Sequence, residues 1–186
     1  MLNLPPTFIL FDTEQTAWEG SLQRNWSGPN EYKEIVQIGA IKVDNEKLIE
    51  TESFTVFVRP RLNPELSTYF IELTGITQQT IDKNGVDFLS ALDQFKKWCG
   101  QIPIYSYGGD EENLKENCEL EGIKLPFLSA QFHDIRDIFD LNGIATDKYY
   151  SSSIMEAFGK KSSRQAHDGL NDARSILDGL VELNKK

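Results

Sequence analysis

The chain has 186 residues, of which 39% are hydrophobic and 26% charged, and this balance predicts one globular domain with a core of its own. Its formal net charge of −10 excludes a protein that coats nucleic acid by its overall field. It does not exclude one that holds nucleic acid locally and neutralises its own carboxylates with metal. No apolar run is long enough to span a membrane, and the opening MLNLPPTFILFD lacks the features of a secretory signal. We therefore expect a single domain over residues 1–186, without membrane association, in the cytoplasm.

The first part of the chain predicts three strands. TFILFDTE, residues 7–14, begins with an apolar run and reads as a central strand buried on both faces. EIVQIGAIKVD (34–44) and ESFTVFVRP (52–60) are rich in β-branched residues and predict the second and third strands. The short links between these segments favour an antiparallel meander. The polar stretch 15–33 and the loop 60–68 are interpreted as insertions within the domain.

The second part alternates helices with short strands. Residues 86–98 place their apolar side chains on one helical face, and IPIYS at 102–106 predicts a short buried strand. Asp110 is a candidate N-cap for the helix DEENLKENCEL, SAQFHDI predicts a fifth strand, and IRDIFDLN predicts a short helix. The last helix carries an apolar stripe formed by Leu170, Ala173, Ile176, Leu177 and Leu180. The order βββαβαβα predicts an α/β fold with a five-strand mixed sheet flanked by helices.

Asp12 and Glu14 end the first predicted strand, and strand alternation places both side chains on one face of the sheet. Two carboxylates about 4 Å apart repel by roughly 4 kcal/mol at an effective dielectric near 20. A divalent cation would convert that repulsion into ligation, and oxygen ligands favour Mg²⁺ or Mn²⁺. The alternative is a polar strand end that faces solvent.

Two further carboxylates and a histidine stand at the starts of the later helices. Both carboxylates are candidates for a functional role. The alternative for Asp110 is the N-cap of its helix, and the alternative for Asp172, beside the apolar stripe of the last helix, is a surface position. Five residues of regular helix turn about 500°, so His167 and Asp172 cannot both face one ion from the same helix. We therefore predict that His167 lies in the loop before the helix. His133 is predicted to be structural.

The segments FDTE, YSYGGDEENL, IELTGITQQTI (71–81) and HDGLNDA occur in this order along the chain. Together they resemble the histidine-bearing (DEDDh) branch of the DEDD superfamily of 3′–5′ exonucleases, over residues 7–182. The stand-alone members related to small-RNA-trimming and sporulation-inhibitor exonucleases are the most similar in appearance. The resemblance implies a ribonuclease H-like fold. The sister branch has a tyrosine four residues before the last aspartate, where this chain has Asp168, so that branch does not fit.

The resemblance also implies roles for the five residues. Asp12 would bridge two ions, Mg²⁺ or Mn²⁺, with Glu14 and Asp172 completing the first metal site and Asp110 serving the second. His167 would accept the proton of the attacking water as general base. The chain departs from the family in having an aspartate directly after this histidine, which would either raise the pKa of His167 or repel a phosphate. A second departure is Ser-Tyr-Gly-Gly before Asp110.

Substrate contacts are predicted beside these residues. Thr13 and Gln15 would approach the terminal nucleotide, and Leu73 and Ile76 would wedge against its base, unless the last two are ordinary core residues. Aromatic stacking on bases is a further possibility for Phe70, and for Trp18 if it does not simply pack its own insertion.

A basic run precedes the histidine and offers contacts to backbone phosphates. Its members are Lys160, Lys161 and Arg164. A solvated loop without substrate contacts is the alternative. Elsewhere, Cys99 and Cys118 share no metal-binding or redox spacing and are predicted to be buried thiols.

The leading hypothesis is a metal-dependent 3′–5′ exonuclease that releases nucleoside monophosphates from single-stranded nucleic acid with a free 3′ end. A nuclease for very short oligonucleotides is a close variant of it. A non-catalytic nucleic-acid-binding or regulatory module on the same fold is the alternative. A small-molecule phosphohydrolase is a third class, for which the sequence has no phosphate-binding P-loop. The sequence leaves RNA and DNA equally open.

Overall fold

A computed structural model of the chain describes residues 2–185. Within this range it has one five-stranded mixed sheet in the order β3-β2-β1-β4-β5. The strands are β1 Thr7–Gln15, β2 Ile35–Asp44, β3 Ile49–Phe57, β4 Ile104–Ser106 and β5 Phe132–Asp134. The first three strands form an antiparallel meander, and β4 runs parallel to β1 and to β5. The predicted α/β fold with a five-strand mixed sheet is confirmed.

Helices cover both faces of this sheet. Within residues 2–185 the α-helices are α1 Thr68–Thr74, α2 Gln78–Asn84, α3 Phe88–Cys99, α4 Asp110–Leu120, α5 Arg136–Leu141 and α6 Gly169–Leu183. Shorter 3-10 segments lie at Ser129–Gln131, Thr146–Lys148 and Ser151–Phe158. None of the helices in the described range combines the length and apolarity that crossing a lipid bilayer requires.

Strand β1 separates two hydrophobic cores. Ile9 and Phe11 point into one core with α3 and α4, while Phe8 and Leu10 point into the other with α5 and α6. Because side chains alternate along a strand, Asp12 and Glu14 lie on the α6 side. The predicted double burial of β1 is confirmed. Cys99 and Cys118 are both buried free thiols, as predicted.

Helices α1 and α2 are additional to the predicted order. Their start signals are present in the sequence, because the hydroxyls of Ser67 and Thr77 accept hydrogen bonds from the backbone N–H groups of Phe70 and Thr80. Each helix has only seven residues, too few for a clear apolar periodicity. The third strand also differs from the prediction, since β3 covers 49–57 instead of 52–60.

The start of α6 packs unusually closely on the sheet. A Cβ added to Gly39 of β2 would overlap the backbone of Gly169 and Leu170. A Cβ added to Gly169 would lie 3.0 Å from the carbonyl oxygen of Asp12. Two residues without side chains therefore allow the helix start to touch β1 and β2 next to the acidic end of β1.

Candidate active site

Four carboxylates from three elements meet at the end of β1. Asp12 and Glu14 come from β1, Asp110 is the first residue of α4, and Asp172 lies in the first turn of α6. Strand β4 leads into α4 and lies parallel to β1, so the carboxyl ends of both strands share one sheet edge. All four side chains are at most 9% exposed. The residues that were predicted to act together are therefore buried together.

Burial and mutual repulsion raise the pKa values of this cluster. Burial is the largest cause for Asp12, followed by the charges of Asp110, Glu14 and Asp172, and its pKa lies well above the usual 3.8. The pKa of Glu14 is also well above its usual value, through burial and then the charge of Asp172. Burial raises the pKa of Asp110 to about 6 and that of Asp172 to about 7. The charged form of these carboxylates is therefore disfavoured, and a bound cation would favour it.

Asp110 is held by β1 and not by its own helix start. Its Oδ1 accepts hydrogen bonds from the backbone N–H of Thr13 at 3.0 Å and from the Thr13 hydroxyl at 2.6 Å. The amide of Asn113 also donates to it, at 3.4 Å. The N-cap of α4 is Gly109, and no side chain caps that helix. The predicted N-cap role of Asp110 is therefore wrong, because the carboxylate turns toward Thr13.

His167 lies in the loop directly before α6, as the helix geometry predicted. Its φ angle of +59° belongs to the left-handed region, which side chains other than glycine rarely occupy. Its backbone N–H donates to Oδ2 of Asp172 at 3.3 Å. Candidate ligand atoms of Glu14, His167 and Asp172 lie within 4.8 Å of one another, the one such group among residues 2–185. The histidine and two of the carboxylates therefore face one small space.

Burial lowers the pKa of His167 below its usual 6.5. Of the two effects considered for the aspartate that follows His167, the raised pKa is therefore wrong. The Asp168 carboxylate instead accepts a hydrogen bond from the backbone N–H of Asn171 at 2.9 Å and caps α6. It also accepts from the side chain of Gln37 at 3.2 Å. These two contacts give Asp168 a structural role at the start of α6.

The group can hold divalent cations. Oδ1 of Asp172 is buried and has no hydrogen-bond partner within the described structure, which suits an atom that coordinates an ion. The hydroxyl of Ser151 donates to Oδ1 of Asp12 at 3.4 Å. The donors are carboxylate oxygens with one imidazole nearby, a set that suits hard cations.

The residues predicted to contact the terminal nucleotide differ in their burial and in their contacts within the protein. The Thr13 amide and hydroxyl contact Asp110, and the Gln15 amide donates to the Thr13 carbonyl at 2.5 Å and to its hydroxyl at 2.6 Å. Ile76, 5% exposed, belongs to a core cluster. Leu73 is half-buried and is the member of the pair that is free to contact a base.

The aromatic predictions differ in outcome. The prediction that Phe70 stacks on a base is wrong, because this residue is only 1% exposed and lies in the same core cluster as Ile76. Trp18 is half-buried, and its backbone N–H donates to the hydroxyl of Ser21 at 2.8 Å, within its insertion. His133 is exposed and stacks on Tyr105 with ring centroids 4.9 Å apart.

The basic run before His167 is mostly paired. Lys160 contacts Glu182 at 2.7 Å, and the guanidinium of Arg164 binds Asp178 through two hydrogen bonds of 2.8 and 3.1 Å. Lys161 is exposed and has no ion-pair partner among residues 2–185. It is therefore the basic side chain of this run that is free to meet a phosphate.

Three polar residues of the site were not predicted from the sequence. Ser151 gave no signal because its partner Asp12 is distant in sequence. Asn113 gave none because its contact with Asp110 depends on how the fold orients that carboxylate. Gln37 did give one, since it is a polar residue inside the apolar strand IVQIGAI. Its side chain is buried and bonds to the start of α6.

A mixed five-strand sheet whose central strand ends in carboxylates, with a histidine facing them from the loop before the last helix, is the arrangement of ribonuclease H-like nucleases. The family model described as an exonuclease, RNase_T, matches residues 9–179, and the chain belongs to this family. The chain is 26% identical to the probable 3′-5′ exonuclease KapD of Bacillus subtilis (strain 168), over 97% of the chain and 86% of that protein. It is 23% identical to 3′-5′ exoribonuclease 1 of Homo sapiens, over 94% of the chain and 51% of that protein.

The chain thus spans about half the length of the human relative. A solved structure described as the nuclease domain of 3′hExo, a DEDDh family member bound to rAMP, has the same fold. It superposes with a TM-score of 0.84 and 22% identity, over 100% of this chain and 94% of that chain.

Proposed function

We propose that the chain is a divalent-metal-dependent 3′–5′ exonuclease that hydrolyses phosphodiester bonds of single-stranded nucleic acid and releases nucleoside monophosphates. One observation carries the proposal: four buried carboxylates from β1, α4 and α6 converge beside His167. Membership of the exonuclease family supports it. Similarity to KapD over most of that relative's length is further support. We also propose that residues 1–186 form one exonuclease domain.

The carboxylates fit two Mg²⁺ or Mn²⁺ ions. Asp12, Glu14 and Asp172 would hold the first ion, and Asp12 with Asp110 would hold the second. Raised pKa values throughout the cluster indicate negative charge that a bound cation would balance. The unpartnered Oδ1 of Asp172 supplies a ready ligand atom. Ions bound there would supply stabilisation of the negative charge that develops on the attacking and leaving oxygens.

His167 accepts the proton of the attacking water in this proposal. Its lowered pKa keeps the imidazole neutral at pH 7, so that it can act as a base. Its backbone bond to Asp172 holds it over the carboxylates without using the imidazole nitrogens. The group of Glu14, His167 and Asp172 also allows the histidine to be a metal ligand, and metal titration of a variant decides between these roles.

The substrate is a single strand with a free 3′ end, as RNA or DNA. Leu73 would contact the terminal base, and Lys161 a backbone phosphate upstream. The non-catalytic module is the weaker alternative, because a binding surface has no use for four carboxylates that are buried together and whose pKa values are raised. The buried free thiols Cys99 and Cys118 agree with a reducing cytoplasm, which fractionation of cells would test.

Digestion of 3′- and 5′-labelled RNA and DNA oligomers with Mg²⁺, Mn²⁺ or Ca²⁺ tests the proposed function. A 5′-labelled strand should give a descending ladder with Mg²⁺ or Mn²⁺, and EDTA should abolish cleavage. Ca²⁺ should bind with little turnover, because its looser coordination spoils the alignment of two ions. Asp12→Asn should be inactive, whereas Asp93→Asn, at an exposed position of α3, should cleave like the wild type. Undiminished cleavage after thorough removal of metal would contradict the proposal.

A further inference from the structure

Gln37 ties the loop that carries His167 to strand β2. It is 2% exposed and pairs directly with Glu14 across the antiparallel strands, so both side chains lie on the same face. Its Oε1 accepts a hydrogen bond from the backbone N–H of Gly169 at 2.8 Å. Its Nε2 donates to Oδ2 of Asp168 at 3.2 Å. One amide therefore binds two successive residues of the other chain segment.

Those two residues form the joint between the loop and α6. Asp168 directly follows His167, and its other oxygen, Oδ1, caps the helix by accepting from Asn171 N–H. Gly169 is the first residue of the helix that carries Asp172. The position of this joint therefore decides where both the histidine and the carboxylate stand relative to β1.

The joint needs such support. The first N–H groups of a helix have no partner within the helix, and the N–H of Gly169 finds its acceptor in Gln37. His167 has a left-handed backbone conformation that persists only where neighbouring contacts impose it. Without the amide, a buried N–H and one side of the Asp168 carboxylate would lose their partners.

We propose that Gln37, with Asp168 as its partner, is a positioning residue that sets His167 and Asp172 against Glu14. The proposal rests on the proposed nuclease function. It assigns no contact between Gln37 and the substrate. Because positioning errors of about 1 Å cost on the order of 100-fold in rate, a displaced joint should lower kcat with little change in KM.

An exchange of the two partners tests the proposal. Gln37→Glu keeps the acceptor for Gly169 N–H but places a carboxylate against Asp168, and this repulsion should displace the joint. Asp168→Asn keeps an oxygen for Asn171 N–H and provides an N–H₂ donor. The double variant Gln37→Glu/Asp168→Asn restores a donor–acceptor pair in the reverse direction and leaves the net charge unchanged.

Single-turnover rates and KM are measured for these variants on the oligomer that the wild type cleaves. Gln37→Glu should lower kcat by about tenfold or more, and the double variant should recover most of that loss. Mn²⁺ affinity is measured alongside, because the introduced carboxylate lies beside Glu14. Asn45→Ala is the matched control, since this buried amide bonds to the carbonyl of Leu4, away from the carboxylate cluster. It should keep the wild-type kcat.

A Gln37→Glu enzyme with the wild-type kcat, or a double variant no faster than Gln37→Glu, would overturn the positioning role. A wild type without nuclease activity would instead overturn the proposed function. If Gln37→Glu does not fold, hydrogen exchange of Gln37→Ala replaces the kinetic test. The amide of Gly169 should then exchange faster than in Asn45→Ala, and equal exchange in the two variants would overturn the proposal.

Discussion

The backbone N–H of His167 donates a hydrogen bond of 3.3 Å to Oδ2 of Asp172. The carboxylate thus anchors the turn that carries the histidine, while its Oδ1 is buried and has no protein partner in the described range. One oxygen has a structural contact and the other is left for an ion. The two residues are therefore joined through the backbone but offer different chemical groups to the site.

Variants of these two residues should consequently differ. His167→Ala should retain metal affinity and lower kcat by about 10²–10⁴-fold, the usual contribution of a positioned general base. Asp172→Ala should weaken metal binding and nearly abolish cleavage. Asp172→Asn should weaken metal binding but keep the turn of His167 in place, because its amide oxygen can still accept from His167 N–H. Calorimetric Mn²⁺ titration and single-turnover cleavage measure both effects. A His167→Ala enzyme that loses metal as Asp172→Ala does would make the histidine a ligand and not the base.

The stability of the metal-free protein should depend on pH through the carboxylate cluster. The pKa values of Asp110 and Asp172 rise from 3.8 to about 6 and about 7 on folding, so the folded state binds protons more tightly than the unfolded state. Their favourable contribution is complete below about pH 4 and is lost as the pH rises through about 6 to 7. In EDTA, the Tm should therefore fall as the pH rises from about 4 to about 7.

Mg²⁺ should remove much of this loss by balancing the charge, so the Tm difference between Mg²⁺ and EDTA should be larger at pH 7.5 than at pH 5. Asp172→Asn should flatten the fall in EDTA, whereas Asp93→Asn, which is exposed, should not. Thermal unfolding of the three proteins across pH measures this. Parallel curves for the wild type and Asp172→Asn would show that the cluster does not control the pH dependence.

The rate should depend on the protonation of His167 at lower pH. Burial lowers the pKa of this histidine below 6.5, and a protonated imidazole cannot accept a proton from water. The wild-type kcat should therefore rise with pH through a value below 6.5. The residual rate of His167→Ala should lack this limb, although any limb due to metal binding remains. A single-turnover pH profile at saturating Mg²⁺ makes the comparison, and an identical limb in both proteins would exclude the histidine as its source.

The sequence predicted those parts of the site that depend on local geometry. Strand alternation alone placed Asp12 and Glu14 on one face, and the angle between positions along a helix placed His167 in the loop. The βββαβαβα order followed from the pattern of apolar and β-branched residues and predicted the five-strand mixed sheet. Helices α1 and α2 were not predicted, because seven residues are too few to show a clear helical periodicity.

Contacts between distant segments could not be predicted in the same way. The turn of Asp110 toward Thr13 joins residues 97 positions apart, and local rules favoured an N-cap instead. The pairing of Gln37 with Gly169 spans 132 positions and depends on the exact register of β2. Likewise, Arg164 is paired with Asp178, a contact between a loop and a helix face that charge patterning does not reveal. Such pairs require the assembled fold.

The basic run should contribute unequally to substrate binding. Lys161 is exposed and unpaired within residues 2–185, whereas Arg164 is bound to Asp178. Lys161→Ala should raise KM for oligomers and reduce the salt dependence of binding by roughly one phosphate contact. Arg164→Ala should instead disturb the loop before His167 and affect kcat. Lys97→Ala, on α3, is the control. Fluorescence titration of a labelled oligomer at several salt concentrations tests the difference, and an unchanged salt slope for Lys161→Ala would remove it from the substrate path.

Leu73 and Ile76 should separate substrate recognition from stability. Ile76 is buried in a core cluster, so Ile76→Ala should lower the free energy of unfolding by about 2–5 kcal/mol. Leu73 is half-buried and stands free of that cluster, so Leu73→Ala should leave the Tm nearly unchanged and raise KM for the terminal nucleotide. A 3′-phosphate should slow the first cleavage in the wild type, because it brings negative charge to the carboxylates, and a circular single strand should resist cleavage. Ladder kinetics of 5′-labelled oligomers and denaturant unfolding measure these effects. If Leu73→Ala leaves KM unchanged while destabilising the fold as Ile76→Ala does, then the terminal nucleotide lies elsewhere. Cleavage within the circle would show that the site admits an internal phosphodiester and acts as an endonuclease.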